Sequence, residues 1–367
     1  MGVLPSQELN ELIDTGAITL GGALGKRQLQ PSSLDLTLGR RAWRVRASFL
    51  PSPGMSVSQR LESSLVMHEI DLSRDDGTVL ERGCVYLIEL AERVRLPSGV
   101  IGASNPKSST GRIDVFVRLV VDAGKKGAAF DVVPENYEGP LYAEISPRTF
   151  SIVVREGTSL NQLRLKTADA ALNDKSLEAL HEQTPLINCA EGKEVDINGG
   201  LGLSIDLSGS DTPIGWRARR HTGLIDVDKV GLLDAEDYFE PIHAPKPGFI
   251  ILDPDEFYIL ASQEALVIPP DYAGEMTPIS PGLGEFRVHY AGFFDPGFGW
   301  SNDRANGSKA VLEVRSHDAP FVLEHGQLVA RLVYESMASR PSTLYGEGLA
   351  SNYQGQGLKL SKHFTSP

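Results

Sequence analysis

The chain has 367 residues and a formal net charge of −13, from 35 basic and 48 acidic side chains. This acidity argues against general binding to nucleic acids or membrane surfaces, although a local basic pocket is compatible with it. The length predicts two domains, each with room for its own core. No apolar run approaches the roughly 20 residues of a membrane span. The N-terminus lacks the pattern of a secretory signal, so we expect a cytoplasmic protein.

Cysteine and histidine usage does not indicate a metal centre. Cys84 and Cys189 are the two cysteines, and their wide separation excludes a disulfide scaffold or a cysteine-rich zinc site. We expect both to be small apolar core residues. Several scattered histidines lack the i, i+4 spacing of metal ligands on a helix, and we expect no metal at them: His221, His243, His289, His317 and His325.

The predicted elements are short and mostly β. Ser6 to Ile13 has the pattern of a helix, with Ser6 as N-cap and Gly16 as the stop. Short alternating or β-branched runs follow, separated by Gly, Pro, Asn and Asp, such as Ser33–Leu38, Cys84–Ile88 and Phe150–Val154. With 37 Gly and 23 Pro, the pattern favours an all-β sandwich or jelly roll. Residues 168–183 predict a helical connector, and the acidic stretch 226–240 predicts a solvated loop or short helix.

The two halves of the chain repeat. Residues 86–106 align without gaps on residues 258–278, an offset of 258 − 86 = 172. Shorter matches pair Ser33–Leu36 with Ser204–Leu207, and Trp43 with Trp216. Agreement over so many turn and core positions indicates a tandem duplication of one β domain. We expect a first domain over residues 1–165, a connector over 166–195 and a second domain over 196–367.

Polar features are divided unevenly between the halves. After residues 96–102, which predict a short buried strand and turn, the first half has Lys107-Ser108-Ser109-Thr110-Gly111-Arg112. Hydroxyls and backbone N–H groups around a glycine can hold phosphate oxygens, and Lys and Arg neutralise their charge. Taken alone, the segment is more typical of a solvated polar turn, and it lacks the order of a Walker loop. The second half has no such segment at residues 279–284, but it alone carries a glycine-rich tail, residues 345–357.

Several motifs together resemble the dCTP deaminase branch of the trimeric dUTPase superfamily. They are Pro31–Gly39, Lys107–Arg112, Phe294–Gly299, Val311–Glu313, Gly326–Leu332 and the Tyr, Tyr and Gln spacing of the tail. The resemblance covers most of residues 31–165 and 248–356. It implies a mainly β protein of two tandem dUTPase-like domains, of distorted jelly-roll or β-clip type, with few short helices.

The resemblance also implies roles for individual residues. Glu313 matches the strand of the family's catalytic glutamate, and Glu144 is the alternative base in the first half. Ser108 and Arg112 are the candidates that orient the glutamate and the water. The expected substrate-binding residues are Lys107, Ser108, Ser109, Arg112, Asp295, Tyr345, Tyr353 and Gln356.

The chain departs from single-domain members of the family. Its SSxxR element lies in the first half, whereas its best Asp-Pro-Gly turn lies in the second, with the tail. The first half has Phe130-Asp131-Val132-Val133-Pro134 at the place of the turn. Asn352 stands where members often have a lysine. The division implies either a composite site shared between halves or one degenerate half.

The implied reaction is deamination of dCTP to dUTP and ammonia by a glutamate-activated water. The HxE…PCxxC signature of zinc deaminases is absent, so we expect no zinc, with Mg²⁺ held by the triphosphate. Two alternatives stay open: a dUTP pyrophosphatase or bifunctional enzyme, and a non-catalytic nucleotide-binding protein. The resemblance further implies a homotrimer or other threefold assembly, without nucleic-acid or membrane partners.

Overall fold

The computed structural model forms two compact units, each described by itself below. The first contains Met1–Asp169 and Gly223–Leu232, and the second contains Ala170–Thr222 and Leu233–Pro367. Within the described residues, no helix is long and apolar enough to cross a membrane. The structure describes residues 1–125, 127–188, 194–209, 212–244, 248–279, 286–289 (backbone only), 292–300, 307–316, 318–347 and 353–365.

The first unit consists mainly of short strands. Its helices are α1 (Ser6–Asp14), α2 (Val57–Leu61) and α3 (Ser108–Gly111). Its strands are β1 (Ile18–Thr19), β2 (Leu34–Leu36), β3 (Leu38–Val45), β4 (Val66–Asp71), β5 (Thr78–Leu80), β6 (Val85–Arg95), β7 (Val100–Pro106), β8 (Val115–Val120), β9 (Val132–Val133), β10 (Glu138–Pro147), β11 (Ile152–Val154), β12 (Asn161–Thr167) and, from the later segment, β16 (Ile225–Asp226).

The second unit repeats this β content. Its helices are α4 (Asp174–Gln183) and α5 (Ala235–Tyr238). Its strands are β13 (Ile187–Asn188), β14 (Leu201–Ser204), β15 (Gly215–Ala218), β17 (Phe239–Ile242), β18 (Phe249–Leu252), β19 (Phe257–Leu266), β20 (Tyr272–Pro278), β21 (Phe286–His289), β22 (Phe293–Phe294), β23 (Ser308–Ser316), β24 (Phe321–Glu324) and β25 (Leu328–Ser336).

The sheet order is the same in the two units, which confirms the predicted duplication. One sheet runs β4-β3-β6-β10-β8 in the first unit and β17-β15-β19-β23-β21 in the second. A second sheet runs β2-β12-β7-β9 and β14-β25-β20-β22, and the pair β5-β11 corresponds to β18-β24. The predicted mainly β fold with tandem domains is therefore confirmed.

Hydrogen bonds to two buried glutamates define the register of the repeat. Glu92 accepts from the backbone N and the hydroxyl of Thr37, at 2.9 and 2.6 Å. Glu264 accepts from the same two groups of Ser204, at 2.8 and 2.6 Å. Ser204 therefore corresponds to Thr37 rather than to Ser33. The predicted pairing of Ser33–Leu36 with Ser204–Leu207 was wrong by four residues, because it followed a local Asp-Leu similarity instead of these distant contacts.

Two helical predictions need small corrections. Helix α1 has Pro5 rather than Ser6 at its N-cap, because Pro5 O already accepts the bond from Leu9 N at 3.0 Å. The connector helix α4 covers residues 174–183, with Asn173 Oδ1 capping Ser176 N, and it buries Leu177 in the core of the second unit. Cys84 is half-buried rather than a core residue, and Cys189 lies outside the described residues.

The segment 223–232 completes a sheet of the first unit. Strand β16 pairs in parallel with β11, and Ile225 is fully buried. The Arg155 guanidinium donates to both carboxylate oxygens of Asp226 at 2.9 Å and to Asp228 at 3.2 Å. The solvated loop expected for this acidic stretch was therefore wrong at its start, because Arg155 neutralises the acidic pair. The helix expected as the other possibility is present further on, as α5.

Candidate functional site

The segment Lys107–Arg112 is a short helix at the end of a strand of the first unit. Strand β7 ends at Pro106, Lys107 N donates to Leu160 O at 2.9 Å, and α3 follows at once. We predicted a strand followed by a turn over residues 96–102. This order was wrong, because the turn at residues 97–99 precedes strand β7. The segment thus projects from a strand end whose backbone is held by β12.

The side chains of this segment differ in exposure. Ser108 is exposed and Lys107 half-buried, whereas Ser109 is 7% and Arg112 3% exposed. We expected Arg112 in a solvated polar loop, and this was wrong. The helical turn of α3, closed by the bond from Arg112 N to Ser108 O at 3.1 Å, places Arg112 inside the unit.

Lys107 is paired with a buried carboxylate. Its ammonium donates to Asp35 and lies 3.4 Å from Ser159 Oγ. Asp35 is 5% exposed, and a carboxylate so buried needs a cation or several hydrogen-bond donors. Asp35 belongs to the Pro31–Gly39 motif, but its role as the partner of Lys107 was missed, because the two residues are 72 positions apart in the sequence.

Glu144 is held by its own unit at both carboxylate oxygens. Ser48 Oγ donates to Oε1 at 2.9 Å, and Phe49 N donates to Oε2 at 3.3 Å. Arg118 lies opposite Glu144 in the β10–β8 register. Burial raises the pKa of Glu144, while the bonds from Ser48 and Phe49 oppose this shift. Each carboxylate oxygen of Glu144 therefore accepts one hydrogen bond from its own unit.

Glu313 has the corresponding position in the second unit. It lies on β23, opposite Ile259 of β19 and His289 of β21, and is 4% exposed. Its sequence neighbours Leu312 and Val314 are fully buried. A carboxylate on the fourth strand of the larger sheet therefore occurs in both units, each time opposite a basic residue or a histidine.

The Asp-Pro-Gly turn of the second unit follows β22. Phe298 N donates to Asp295 O at 3.0 Å and Ile268 N to Phe298 O at 2.8 Å. In the first unit the same bonds join Tyr137 N to Pro134 O and Leu96 N to Tyr137 O, at 3.3 and 2.8 Å. Pro134 therefore holds the place of Asp295. The stretch predicted to hold the place of the turn, Phe130–Pro134, therefore reaches it only at its last residue.

Asp131 nevertheless has an unusual environment. Its Oδ1 accepts from Leu119 N at 2.8 Å. Burial raises the pKa of Asp131 to about 7, with Glu144 adding to the shift and Arg118 opposing it. This carboxyl therefore titrates near neutral pH, inside the first unit.

The tail packs onto the second unit. The Tyr345 ring lies 5.6 Å from the Phe298 ring, and Tyr345 N donates to Pro296 O at 2.8 Å. Tyr353 is 7% exposed. Gln356 Nε2 donates to Lys309 O at 3.1 Å, while its buried Oε1 has no hydrogen-bond partner among the described residues. Asn352 lies outside the described residues.

The structure thus groups the predicted residues by unit. Lys107, Ser108, Ser109, Arg112 and Glu144 belong to the first. The second contains Asp295, Glu313, Tyr345, Tyr353 and Gln356. Besides Asp35, sequence reasoning missed Gln354, for which the only signal was its place in the glycine-rich tail.

Comparisons with known proteins identify relatives of both units. Residues 1–169 match the model of the 2′-deoxycytidine 5′-triphosphate deaminase N-terminal domain, and residues 173–364 match that of its C-terminal domain. The crystal structure of 2′-deoxycytidine 5′-triphosphate deaminase from Agrobacterium tumefaciens is 49% identical, with a TM-score of 0.85. The match covers 93% of this chain and 99% of that one.

Shorter relatives match over part of the chain. A protein of Methanosphaera stadtmanae named "dCTP deaminase, dUMP-forming" is 25% identical over 146 residues, which is 40% of this chain and 68% of the relative. A protein of the same name from Corynebacterium kroppenstedtii is 32% identical over 135 residues, 36% of this chain and 68% of the relative.

Proposed function

We propose, from the premise that this chain belongs to the 2′-deoxycytidine 5′-triphosphate deaminase family, that it hydrolyses dCTP to dUTP and ammonia. Water adds to C4 of the cytosine ring, a proton moves to the departing amino group, and ammonia leaves as the C4 carbonyl forms. This chemistry needs a proton acceptor and donor next to the attacking water. The observation that carries the proposal is a buried carboxylate, Glu313, in the unit that also contains the Asp-Pro-Gly turn and the tail.

Glu313 is the proposed base, rather than Glu144. Both oxygens of Glu144 already accept bonds from Ser48 and Phe49 of its own unit. The choice of Glu313 follows the family strand and the unit that also carries the Asp-Pro-Gly turn and the tail. Glu313 is as buried as Glu144, at 4% against 6% exposed, and lies in the family strand Val311-Leu312-Glu313.

Cationic and hydroxyl groups are assigned to the phosphates and to the water. Lys107 and Ser109 would bind triphosphate oxygens, since ammonium and hydroxyl groups donate to phosphate. Ser108 and Arg112 would orient the water and stabilise the negative charge that develops on attack. Asp295 would hydrogen-bond the deoxyribose.

The tail residues would enclose the nucleotide. Tyr345 and Tyr353 would pack on it, and Gln356 would accept a hydrogen bond from it. Support for the last assignment is the buried Gln356 Oε1, which has no partner among the described residues. A buried acceptor without a donor is costly, and a nucleotide N–H or O–H group would satisfy it.

Mg²⁺ enters the proposal with the substrate. Triphosphate oxygens are the hard ligands that Mg²⁺ prefers. Among the described residues, no group of three or more His, Cys, Asp or Glu side chains could hold a metal ion, and we assign none as its ligand. The sequence lacks the HxE…PCxxC signature of zinc deaminases. EDTA should therefore weaken dCTP binding in the absence of added Mg²⁺, whereas a zinc-selective chelator should leave turnover unchanged.

A bifunctional reaction is the second candidate, because the two shorter relatives are named dUMP-forming. A second water would then attack the α-phosphate, which leaves dUMP and releases pyrophosphate. Incubation of the pure protein with dCTP and separately with dUTP distinguishes the two. Ammonia with dUTP as the product supports deamination alone, and pyrophosphate with dUMP supports both steps.

Two conservative substitutions test the base. Glu313→Gln should lower kcat on dCTP at least ~100-fold, since general-base catalysis contributes this much. Glu144→Gln should retain turnover within a few fold, although its stability should fall. If Glu144→Gln is inactive on dCTP and Glu313→Gln is active, Glu144 is the base instead. If both variants are active, the mechanism with a glutamate base is wrong.

The proposed assembly is threefold, by three copies of this chain. The family resemblance alone supports it. Light scattering combined with activity across a dilution series measures it, and a stable, active monomer would contradict it.

A further inference from the structure

The amide of Gln354 contacts the backbone of the Asp-Pro-Gly turn through three hydrogen bonds. Its Nε2 donates to Gly297 O at 3.1 Å and to Trp300 O at 3.3 Å. Its Oε1 accepts from Gly299 N at 3.1 Å. A primary amide offers two N–H donors and one acceptor oxygen. Both donors and the acceptor are therefore used on one four-residue stretch of backbone.

Two glycines permit this close approach. Gly346 has φ +92°, and a Cβ added there would lie 3.1 Å from the Gln354 amide nitrogen. Gly297 has φ +96°, and an added Cβ would lie 2.9 Å from Tyr345 N. Neither position accommodates a side chain without strain. The Tyr345–Gly346 backbone thus lies close both to the turn, at Gly297, and to the Gln354 amide, at Gly346.

The residues after Gln354 continue onto strand β23. Gly355 N donates to Ser308 Oγ at 2.9 Å. Lys309 N donates to Gln356 O, and Gln356 Nε2 donates back to Lys309 O, both at 3.1 Å. Lys309 lies four residues before Glu313 on the same strand. Residues 354–356 therefore join the turn to the strand of the proposed base.

The far end of the tail is anchored independently. The Phe364 ring lies 5.3 Å from that of Tyr238 and 5.4 Å from that of Phe239. Leu233 N donates to His363 O at 3.2 Å, and Thr365 N donates to Leu233 O at 2.8 Å. Loss of the Gln354 contacts would therefore weaken the attachment of the middle of the tail, which keeps the bonds of residues 355 and 356 to β23, and leave its end attached.

We propose that Gln354 is a positioning residue, which docks residues 353–356 on the turn before substrate arrives. The consequence for dCTP depends on the proposed function. Docking in advance removes part of the ordering cost of binding, since an immobile segment loses less conformational entropy when the ligand arrives. Gln354 itself does not contact the nucleotide; it acts by placing Gln356.

Gln354→Glu is the sharpest variant. It keeps the length of the side chain but sets a carboxylate oxygen against two carbonyl oxygens, Gly297 O and Trp300 O. Gln183→Glu is the matched control, because it adds the same charge at the exposed end of α4, outside the tail. Trypsin cleavage after the exposed Lys359, followed by mass spectrometry without nucleotide, reports whether the middle of the tail is docked.

The expected result has two parts. Gln354→Glu should be cleaved about tenfold faster than wild type and Gln183→Glu, and its KM for dCTP should rise about tenfold, while kcat changes less. Equal cleavage rates would overturn the docking, whatever the activity. Faster cleavage with an unchanged KM would overturn the positioning role. A wild type without deaminase activity would reject the proposed function and the role in dCTP binding, while the cleavage result still decides the docking.

Discussion

The first and second units have the same scaffold but differ in the polar groups attached to it. Glu92 and Glu264 accept matching pairs of hydrogen bonds, from Thr37 and from Ser204. Each pair ties the start of one sheet to the central strand of another. Because both units use these contacts, they belong to the requirements of the fold and carry no information about the site.

The ion pair of Lys107 and Asp35 behaves differently. The β2–β12 register sets Asp35 opposite Gln162, and Gly202 lies opposite Arg331 at the matching place in the second unit. Lys107 corresponds to Ile279 through the offset of 172. Both charges are absent there, as expected when a buried ion with no partner is costly. We infer that the shared fold does not require this ion pair, and that the pair stabilises the segment 107–112 of the first unit.

The largest expected effect is that of Arg112→Ala. Loss of the guanidinium should lower kcat/KM for dCTP by roughly 100- to 1,000-fold, the range for removing one preorganised charge-stabilising group. Because Arg112 is 3% exposed, the variant should also lose about 2–4 kcal/mol of unfolding free energy. Steady-state kinetics and urea denaturation measure the two effects. Arg148→Ala, at an exposed arginine of the same unit, is the control and should change neither.

A double-mutant cycle at Lys107 and Asp35 gives the next largest effect. Asp35→Asn leaves the half-buried ammonium without its carboxylate and should cost about 3 kcal/mol, the low end for a broken buried pair. Lys107→Met should cost a similar amount. The double variant should cost clearly less than the sum, by at least 1 kcal/mol, because the two residues are in contact. Strict additivity in urea denaturation would show that the ion pair contributes nothing.

Much of the fold was predictable from the sequence, because it depends on the local requirements of single strands and turns. Tyr86, Glu92 and Gly102 recur at a constant offset because each satisfies a requirement of its own strand or turn. The contacts that identify Ser204 with Thr37 join distant segments, and no local pattern shows them. For the same reason, the sequence did not show which residue of the stretch Phe130–Pro134 corresponds to Asp295.

The candidate site was predictable only as a set of residue types. The burial of Arg112 depends on the short helix α3, which a run of Ser, Ser, Thr and Gly does not indicate. Glu144 accepts a hydrogen bond from Ser48, which is 96 positions away. Gln354 contacts a turn that is 57 residues earlier. Long-range contacts of this kind decide which polar side chains make hydrogen bonds within the protein. They are visible only in the structure.

Asp131 should give the first unit a pH response that the second lacks. The second unit has Gly292 at this place, since Ser104 N donates to Asp131 O and Met276 N to Gly292 O. The pKa of Asp131 rises from 3.8 to about 7 on folding, mainly through burial. Between those pH values the folded carboxyl keeps a proton that the unfolded chain has lost. Its stabilising contribution is therefore complete below pH 4 and is lost as pH rises towards 7.

The test compares Asp131→Asn with the wild type from pH 4 to pH 8. Asparagine retains an acceptor for Leu119 N but does not titrate. The stability of the wild type relative to the variant should fall by about 2 kcal/mol over this range, after allowance for partial solvent screening. Glu144, whose pKa is also raised by burial and whose charge raises the pKa of Asp131, remains in both proteins. Parallel curves of unfolding free energy against pH would contradict the raised pKa of Asp131.

The smallest expected effect tests the equivalence of the units directly. Tyr86 and Tyr258 are each 3% exposed, and each hydroxyl accepts a backbone N–H at 3.0 Å, from Glu81 and from Asp253. Tyr86→Phe and Tyr258→Phe each remove one such bond, which should cost about 1 kcal/mol. The costs should agree within about 0.5 kcal/mol, and the double variant should show their sum, because the residues belong to separate units. Calorimetric unfolding of the three variants measures this. A cost confined to one unit would show that equal geometry does not bring equal energy, and the use of one unit as a reference for the other would then fail.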